Sequence, residues 1–377
     1  KALSKIIKKE LKLDFEDIQK AEFYYTLGTL NVDYFQKLEK AKEYFLKALE
    51  LESCHIPSLL NLGDMALKEK DWQKAIDYLS QAAKEVIEPN EKAKLYTKLG
   101  KIYQNKLNNV TEASNKYELA VQIDPLTQEG LEALSKIYYK NSQWEILEKT
   151  LAKLVTLTKE DKDKLANNYY LWGYTAKQLK NIEEAISRYV TALKLNANHL
   201  QALLALGNIY LDKKEYKQAL DCYKKACQLE ELKDKKEILY KIAILEEKLK
   251  DFTNAAKHYK EVLLINPERI EAMEGLARIY KETDQYDDSV ECYQKVIQNQ
   301  TDEKEKYKVL KEKAVLLHKL KEYDKAIEEY LNLHKYNQQD SFVLSELTSL
   351  YIVTKNWKEA KHWSQLHYNN ITETKQK

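Results

Sequence analysis

The sequence predicts an all-α protein built from tandem helix pairs, and three observations carry that prediction. The 377 residues include only 7 Gly and 4 Pro, too few turn formers for a sheet protein or a glycine-rich phosphate binder. At 44% hydrophobic and 32% charged, the composition suits helices that each bury one face and solvate the other. The chain also repeats itself. One register sets a small or apolar residue at Ala41, Ala75, Ala113, Leu147, Ala185, Ala219, Ala255, Ser289, Ala326 and Ala360, at separations of 34, 38, 34, 38, 34, 36, 34, 37 and 34. A length that otherwise means two or three globular domains is therefore read as one repeat array.

In chain order, residues 1–20 form a helical segment. Lys1-Ala2-Leu3 matches Lys47-Ala48-Leu49, the end of a second helix, so the array is expected to continue before residue 1. The array proper occupies 21–377 as about ten repeats. In repeats 1, 2, 3, 5 and 6 the first helix carries Leu27-Gly28, Leu62-Gly63, Leu99-Gly100, Trp172-Gly173 and Leu206-Gly207. A small residue there admits a neighbouring helix closely, so five of the seven glycines read as packing residues. Each second helix opens on a large side chain three residues before the small one, from Leu38 and Trp72 to Tyr323 and Trp357. Four residues after the small position come Phe45, Leu79, Tyr117, Leu151, Tyr189, Tyr223, Tyr259, Tyr293 and Tyr330, a spacing that keeps them on one helical stripe. Repeat 4 departs with Ser135, Leu147 and Leu154, repeats 7 to 9 put Ala243, Ala277 and Ala314 in place of Gly, and repeat 10 offers Ser364 and His367. The last of these is expected to be a terminal cap facing water.

These residues resemble the tetratricopeptide repeat, W-x-x-L-G-x-x-Y followed by A-x-x-x-F-x-x-A and P. The best match is Leu206-Gly207-Asn208-Ile209-Tyr210 with Ala219, Tyr223 and Ala226, and Pro125 and Pro267 hold the terminal proline position. The resemblance spans about residues 21 to 370 and implies a right-handed superhelical solenoid of antiparallel helix pairs.

Long intervals precede odd-numbered repeats and hold charged stretches such as Glu160-Asp161-Lys162-Asp163-Lys164 and Lys233-Asp234-Lys235-Lys236-Glu237. A charged extension of about one turn is expected to lengthen the first helix of every second repeat on its solvent side, giving a two-repeat unit.

Composition also excludes function classes. Cys54, Cys222, Cys227 and Cys292 form no disulfide framework in so long a chain, which points to a reducing, intracellular and chiefly cytoplasmic setting, with a ciliary or organellar assembly as the variant. No run of about 20 apolar residues provides a membrane span. Among 62 Lys and Arg only Arg188, Arg269 and Arg278 are Arg, and the Lys are interspersed with Asp and Glu, unlike a nucleic-acid footprint. Phosphate loops, nucleophile elbows, H-E-x-x-H and C-x-x-C are absent. Cys54-His55 lies at a repeat junction without a second ligand pair, and His362 and His367 are spaced poorly for a metal. No catalytic residue, metal or cofactor is expected.

In the family the first helices line a concave groove. The resemblance places Tyr170, Tyr174, Leu204, Asn208, Leu211, Tyr240 and Ile244 of repeats 5 to 7 at its exposed positions, as an apolar and aromatic patch. Repeats 3 and 4 instead present Lys94, Lys101, Lys136 and Lys140 with Glu129 and Glu132. Asn208 sits at the asparagine position of a clamp for C-terminal carboxylates, but Ala205 stands where its lysine belongs, so that clamp is rejected. The expectation is a non-enzymatic scaffold that holds an extended peptide or helix of another protein within a larger assembly. The alternatives are a targeting arm of a larger enzyme and an RNA-binding helical-repeat protein.

Overall fold

The computed structural model describes residues 2–230 and 232–375, and among them finds only helices, twenty-one in all. A leading helix α1 (Ala2–Glu10) precedes ten pairs. The first five pairs are α2 (Asp17–Asp33) with α3 (Leu38–Leu51), α4 (Ile56–Lys68) with α5 (Trp72–Glu85), α6 (Pro89–Asn105) with α7 (Val110–Ile123), α8 (Gln128–Lys140) with α9 (Trp144–Leu157), and α10 (Lys162–Gln178) with α11 (Ile182–Leu195). Five more follow: α12 (Leu200–Asp212) with α13 (Tyr216–Cys227), α14 (Lys235–Lys248) with α15 (Phe252–Ile265), α16 (Ile270–Glu282) with α17 (Tyr286–Asn299), α18 (Glu303–Lys319) with α19 (Tyr323–Tyr336), and α20 (Ser341–Val353) with α21 (Trp357–Lys375). The chain divides into two compact units, Lys1–Ala197 with repeats 1 to 5 and Asn198–Lys377 with repeats 6 to 10. Within each unit a helix packs on its neighbours in sequence, making an all-α helical repeat solenoid.

The stripe read from the sequence is the core. Ala41, Phe45 and Ala48 in repeat 1, Ala185, Tyr189 and Ala192 in repeat 5, and Ala326, Tyr330 and Leu333 in repeat 9 are all fully buried. Each large side chain in this row contributes about 1.5–3 kcal/mol by leaving water. The glycines explain how the rings fit. A Cβ added at Gly100 would lie 2.6 Å from Cε1 of Tyr117, and one at Gly207 2.9 Å from Cε1 of Tyr223. Gly275 belongs to the same class from the other side: its Cβ would run into the ring of Tyr259, which belongs to the preceding repeat.

Every turn inside a repeat uses one residue in the left-handed region, and none of the ten is Gly: Gln36, Lys70, Asn108, Ser142, Lys180, Lys214, Lys250, Asp284, Lys321 and Lys355, with φ between 51° and 65°. The Lys70 turn shows the bonding. Asp71 N donates to Ala66 O and Lys70 N to Leu67 O, closing the first helix. The Asp71 side chain then accepts from Lys74 N to open the second.

First helices alternate in length as expected over most of the chain. Those of repeats 1, 3, 5 and 9 have 17 residues, and those of repeats 2, 4, 6, 8 and 10 have 13. Repeat 7 departs, since α14 has 14 residues. Its preceding helix stops early at Cys227, and the charged residues Lys233 and Asp234 remain in the connection.

Candidate partner-binding face

The first helices of repeats 1 to 9 bury the side containing the small residue, Gly or Ala except for Ser135, and leave flanking positions half exposed. Tyr170 and Tyr174 occupy such positions on α10 in the first unit; Leu204, Asn208 and Leu211 on α12 and Tyr240 and Ile244 on α14 do so in the second. All seven are half-buried. Tyr170 leans on Tyr189 with ring centroids 5.8 Å apart, and Tyr174 meets Tyr139 and Trp144 at 5.4 and 5.9 Å. Burial, followed by the neighbouring hydroxyls of Tyr139 and Tyr174, raises the Tyr170 phenol above its ordinary value, so it stays neutral. Leu204 and Leu211 border the cluster around Tyr223 and Ile242, and Tyr240 and Ile244 the cluster around Ala243 and Tyr259.

The polar members are engaged within the chain. Asn208 Oδ1 accepts from Tyr223 Oη at 2.7 Å and from Lys241 Nζ at 2.9 Å. In the next repeat Glu247 accepts from Tyr259 Oη at 2.6 Å and from Arg278 Nε at 2.9 Å and Nη2 at 3.2 Å. Burial alone would raise the Glu247 carboxyl, but the bonds from Arg278 and Tyr259 outweigh it and hold it below the ordinary range. The other two arginines are likewise occupied. Arg188 lies 4.1 Å from the Trp172 ring centre and bridges Glu148 and Glu184, and Arg269 lies 3.8 Å above Tyr240 with Glu237 at 2.9 Å. Each fork holds parts of the fold together, the use to which planar guanidinium is suited.

Lys101 pairs with Glu129 at 2.6 Å between successive first helices, and Lys94 with Glu91 at 2.7 Å, matching the mixed-sign surface read in repeats 3 and 4. His55 caps α4, its Nδ1 accepting from Ser58 N, while Nε2 meets Glu22 at 2.9 Å. Cys222 and Cys292 are pushed up to about 11 by burial, which leaves them protonated thiols. No group of His, Cys, Asp and Glu fit for a metal exists among the described residues. No described helix is long and apolar enough to cross a membrane.

Sequence reasoning missed the contact of Tyr139 and Trp144 with Tyr174 and the Arg269 lid on Tyr240, since both depend on how successive repeats cross. It also missed two buried charges. Glu246, 0% exposed, replaces the tyrosine seen at Tyr103 and Tyr210 and meets Lys224 at 2.8 Å and His258 at 2.6 Å. Lys313, 8% exposed, stands just before Ala314. Both were visible as the single charge in an otherwise uncharged column.

Ten consecutive helix pairs, nine of them with a small residue of the first helix set against a ring or leucine of the second, define a helical-repeat interaction protein. Tetratricopeptide repeat profiles match residues 33–88, 93–125, 170–234 and 248–314. The chain belongs to the tetratricopeptide repeat family. It is 25% identical over 316 residues to the RNA polymerase-associated protein CTR9 of Saccharomyces cerevisiae, covering 82% of this chain and 26% of that protein. It is also 25% identical over 191 residues to Superkiller protein 3 of Schizosaccharomyces pombe, covering 50% of this chain and 14% of that protein. The chain thus spans less than a third of the length of these curated relatives. A solved chain from the structure of Naa15/Naa10 bound to HypK-THB shares the fold, with a TM-score of 0.52 and 12% identity, over 93% of this chain and 64% of that one.

Proposed function

We propose that this chain is a non-enzymatic scaffold whose first helices hold an extended segment or helix of a partner protein, as part of a larger intracellular assembly. Membership of a family of protein-interaction modules supports the general reading. The observation that carries the finer one is made in each unit by itself: half-exposed apolar and aromatic side chains beyond what closes each helix pair, Tyr170 and Tyr174 on α10 in the first unit and Leu204, Leu211, Tyr240 and Ile244 on α12 and α14 in the second. Preformed helices lose little conformational freedom on binding, so such side chains gain affinity at little backbone ordering cost to this chain. In this reading Asn208 fixes the local geometry through Tyr223 and Lys241. The test compares proteins co-purified from the native source by the wild-type chain and by a Tyr174→Ser, Leu204→Ser, Leu211→Ser and Ile244→Ser variant, with circular dichroism as the folding control. Loss of the captured partners by a folded variant is expected; an unchanged set would refute binding through these first-helix side chains.

A further inference from the structure

Just before the small position of every first helix, which is Gly or Ala in eight repeats, Ser135 in repeat 4 and Thr348 in repeat 10, lies the residue that seals the pair. It is Leu in seven repeats, Trp172 in repeat 5, Ile242 in repeat 7, and Lys313 in repeat 9. A lysine is ill suited to this place, because removing an ammonium from water is costly and a buried ion pair seldom returns more than a hydrophobic residue of equal volume would. Lys313 is nonetheless 8% exposed. It donates to Gln294 Oε1 on α17 and, at 2.7 Å, to Glu329 Oε1 on α19. An ammonium has three donors, and the third has no protein acceptor among the described residues.

Lys313 also lines a cleft of about 480 Å³ between the second helices of repeats 8 and 9. That volume lies within the roughly 300–1,000 Å³ of small-ligand sites. Ile297, Leu310 and Tyr336 supply apolar wall, and Lys306 and Lys335 join Lys313 against a single carboxylate, Glu329. The corresponding cleft of repeats 3 and 4 is smaller, about 280 Å³, and has Leu134 in the place of Lys313. The lysine is thus specific to one of two clefts of the same construction.

We propose that this cleft is a binding site for a carboxylate carried on an apolar stem, the carboxylate accepting the remaining Lys313 donor and the stem lying on Ile297, Leu310 and Tyr336. The site is separate from the first-helix side chains on α10, α12 and α14 proposed to hold a partner. Two sources offer this chemistry, a free small acid and an acidic side chain of a partner. The experiment titrates the full chain by NMR with 4-phenylbutyrate and its neutral amide, and with acetyl-Phe-Glu-Leu-amide and its Gln counterpart. At least one acid should bind tenfold or more tighter than its neutral twin. Binding of the free acid alone assigns a small-molecule site, and binding of the peptide acid assigns a side-chain site. The double variant Lys313→Leu with Glu329→Gln, which removes both charges, should lose at least tenfold while a thermal melt confirms folding. Should it not fold, Lys306→Gln with Lys335→Gln, at the more exposed positions, should lose threefold or more. Absence of binding by both acids, equal binding of acid and neutral probes, or full affinity in the folded double variant would overturn the site. Retained affinity in the Lys306 and Lys335 variant would equally do so.

Discussion

The tyrosine of the second-helix stripe occurs in two chemical kinds. Tyr117, Tyr223 and Tyr259 pass their hydroxyls through the pair to Gln104, Asn208 and Glu247 at 2.9, 2.7 and 2.6 Å, whereas the hydroxyls of Tyr189 and Tyr330 are buried with no hydrogen-bond partner. Removing a hydroxyl that donates to a half-buried carboxylate such as Glu247 costs about 1.5–3 kcal/mol, while removing an unsatisfied one costs nothing and relieves a desolvation penalty. Urea unfolding should therefore show Tyr259→Phe clearly destabilised and Tyr189→Phe equal to or above wild type; the reverse order would refute this division. The left-handed turn residues give a second expectation. A side chain at φ 61° on Lys214 is strained, and Gly there removes about 1–2 kcal/mol of strain at the expense of about 0.5–1 kcal/mol of chain entropy. Lys214→Gly should raise the urea midpoint modestly, and a lowered midpoint would show that Lys214 makes contacts worth more than the strain.

At the level of helices, two glycines face the preceding pair, and they differ in the room they leave for a methyl group. Gly275→Ala drives a Cβ into the Tyr259 ring, whereas at Gly130 the nearest atom is Val121 Cγ2 at 3.2 Å. Overpacking of the first kind costs about 1–3 kcal/mol. In the second case the higher helix propensity of Ala, worth about 1 kcal/mol, offsets the smaller crowding. Thermal melts of the two variants should differ accordingly, and equal melting would contradict the crowding at Gly275. The stripe itself was legible because the same small and large positions recur in repeat after repeat, so one misread residue cannot shift the register. Gly275 was not, because its partner belongs to the previous repeat and the self-comparison aligned glycines only within their own pair. The short α14 escaped for a related reason: its interval of 36 gives no sign of how residues divide between helix and connection. The seven candidate face residues could be placed on first helices from sequence, but the support of Tyr170 by Tyr189 and the cover of Tyr240 by Arg269 are products of helix crossing.

Across the whole chain the buried tyrosines form one titrating set. Burial is the leading cause in each case. It pushes Tyr117 and Tyr293 up to about 12 and carries Tyr189, Tyr223, Tyr259 and Tyr330 higher still. A folded value above the unfolded one, near 10.0, means that the stabilisation is complete below that pH and is lost as pH rises, because only the unfolded chain can release the protons. Stability measured by urea should be flat to about pH 10 and then fall steeply, with more than one proton released per chain unfolded; a shallow one-proton dependence would contradict it. The alternation of first-helix length has a consequence of another kind. Four extra residues project about 6 Å along the helix axis, so in the first unit α2, α6 and α10 stand proud of α4 and α8. That edge is a notched rack with a pitch of two repeats. Excising one pair there would set two long helices side by side and close a notch, while excising two would preserve the profile, so the pair of repeats is the smallest piece that can be cut or grafted without altering what the edge presents.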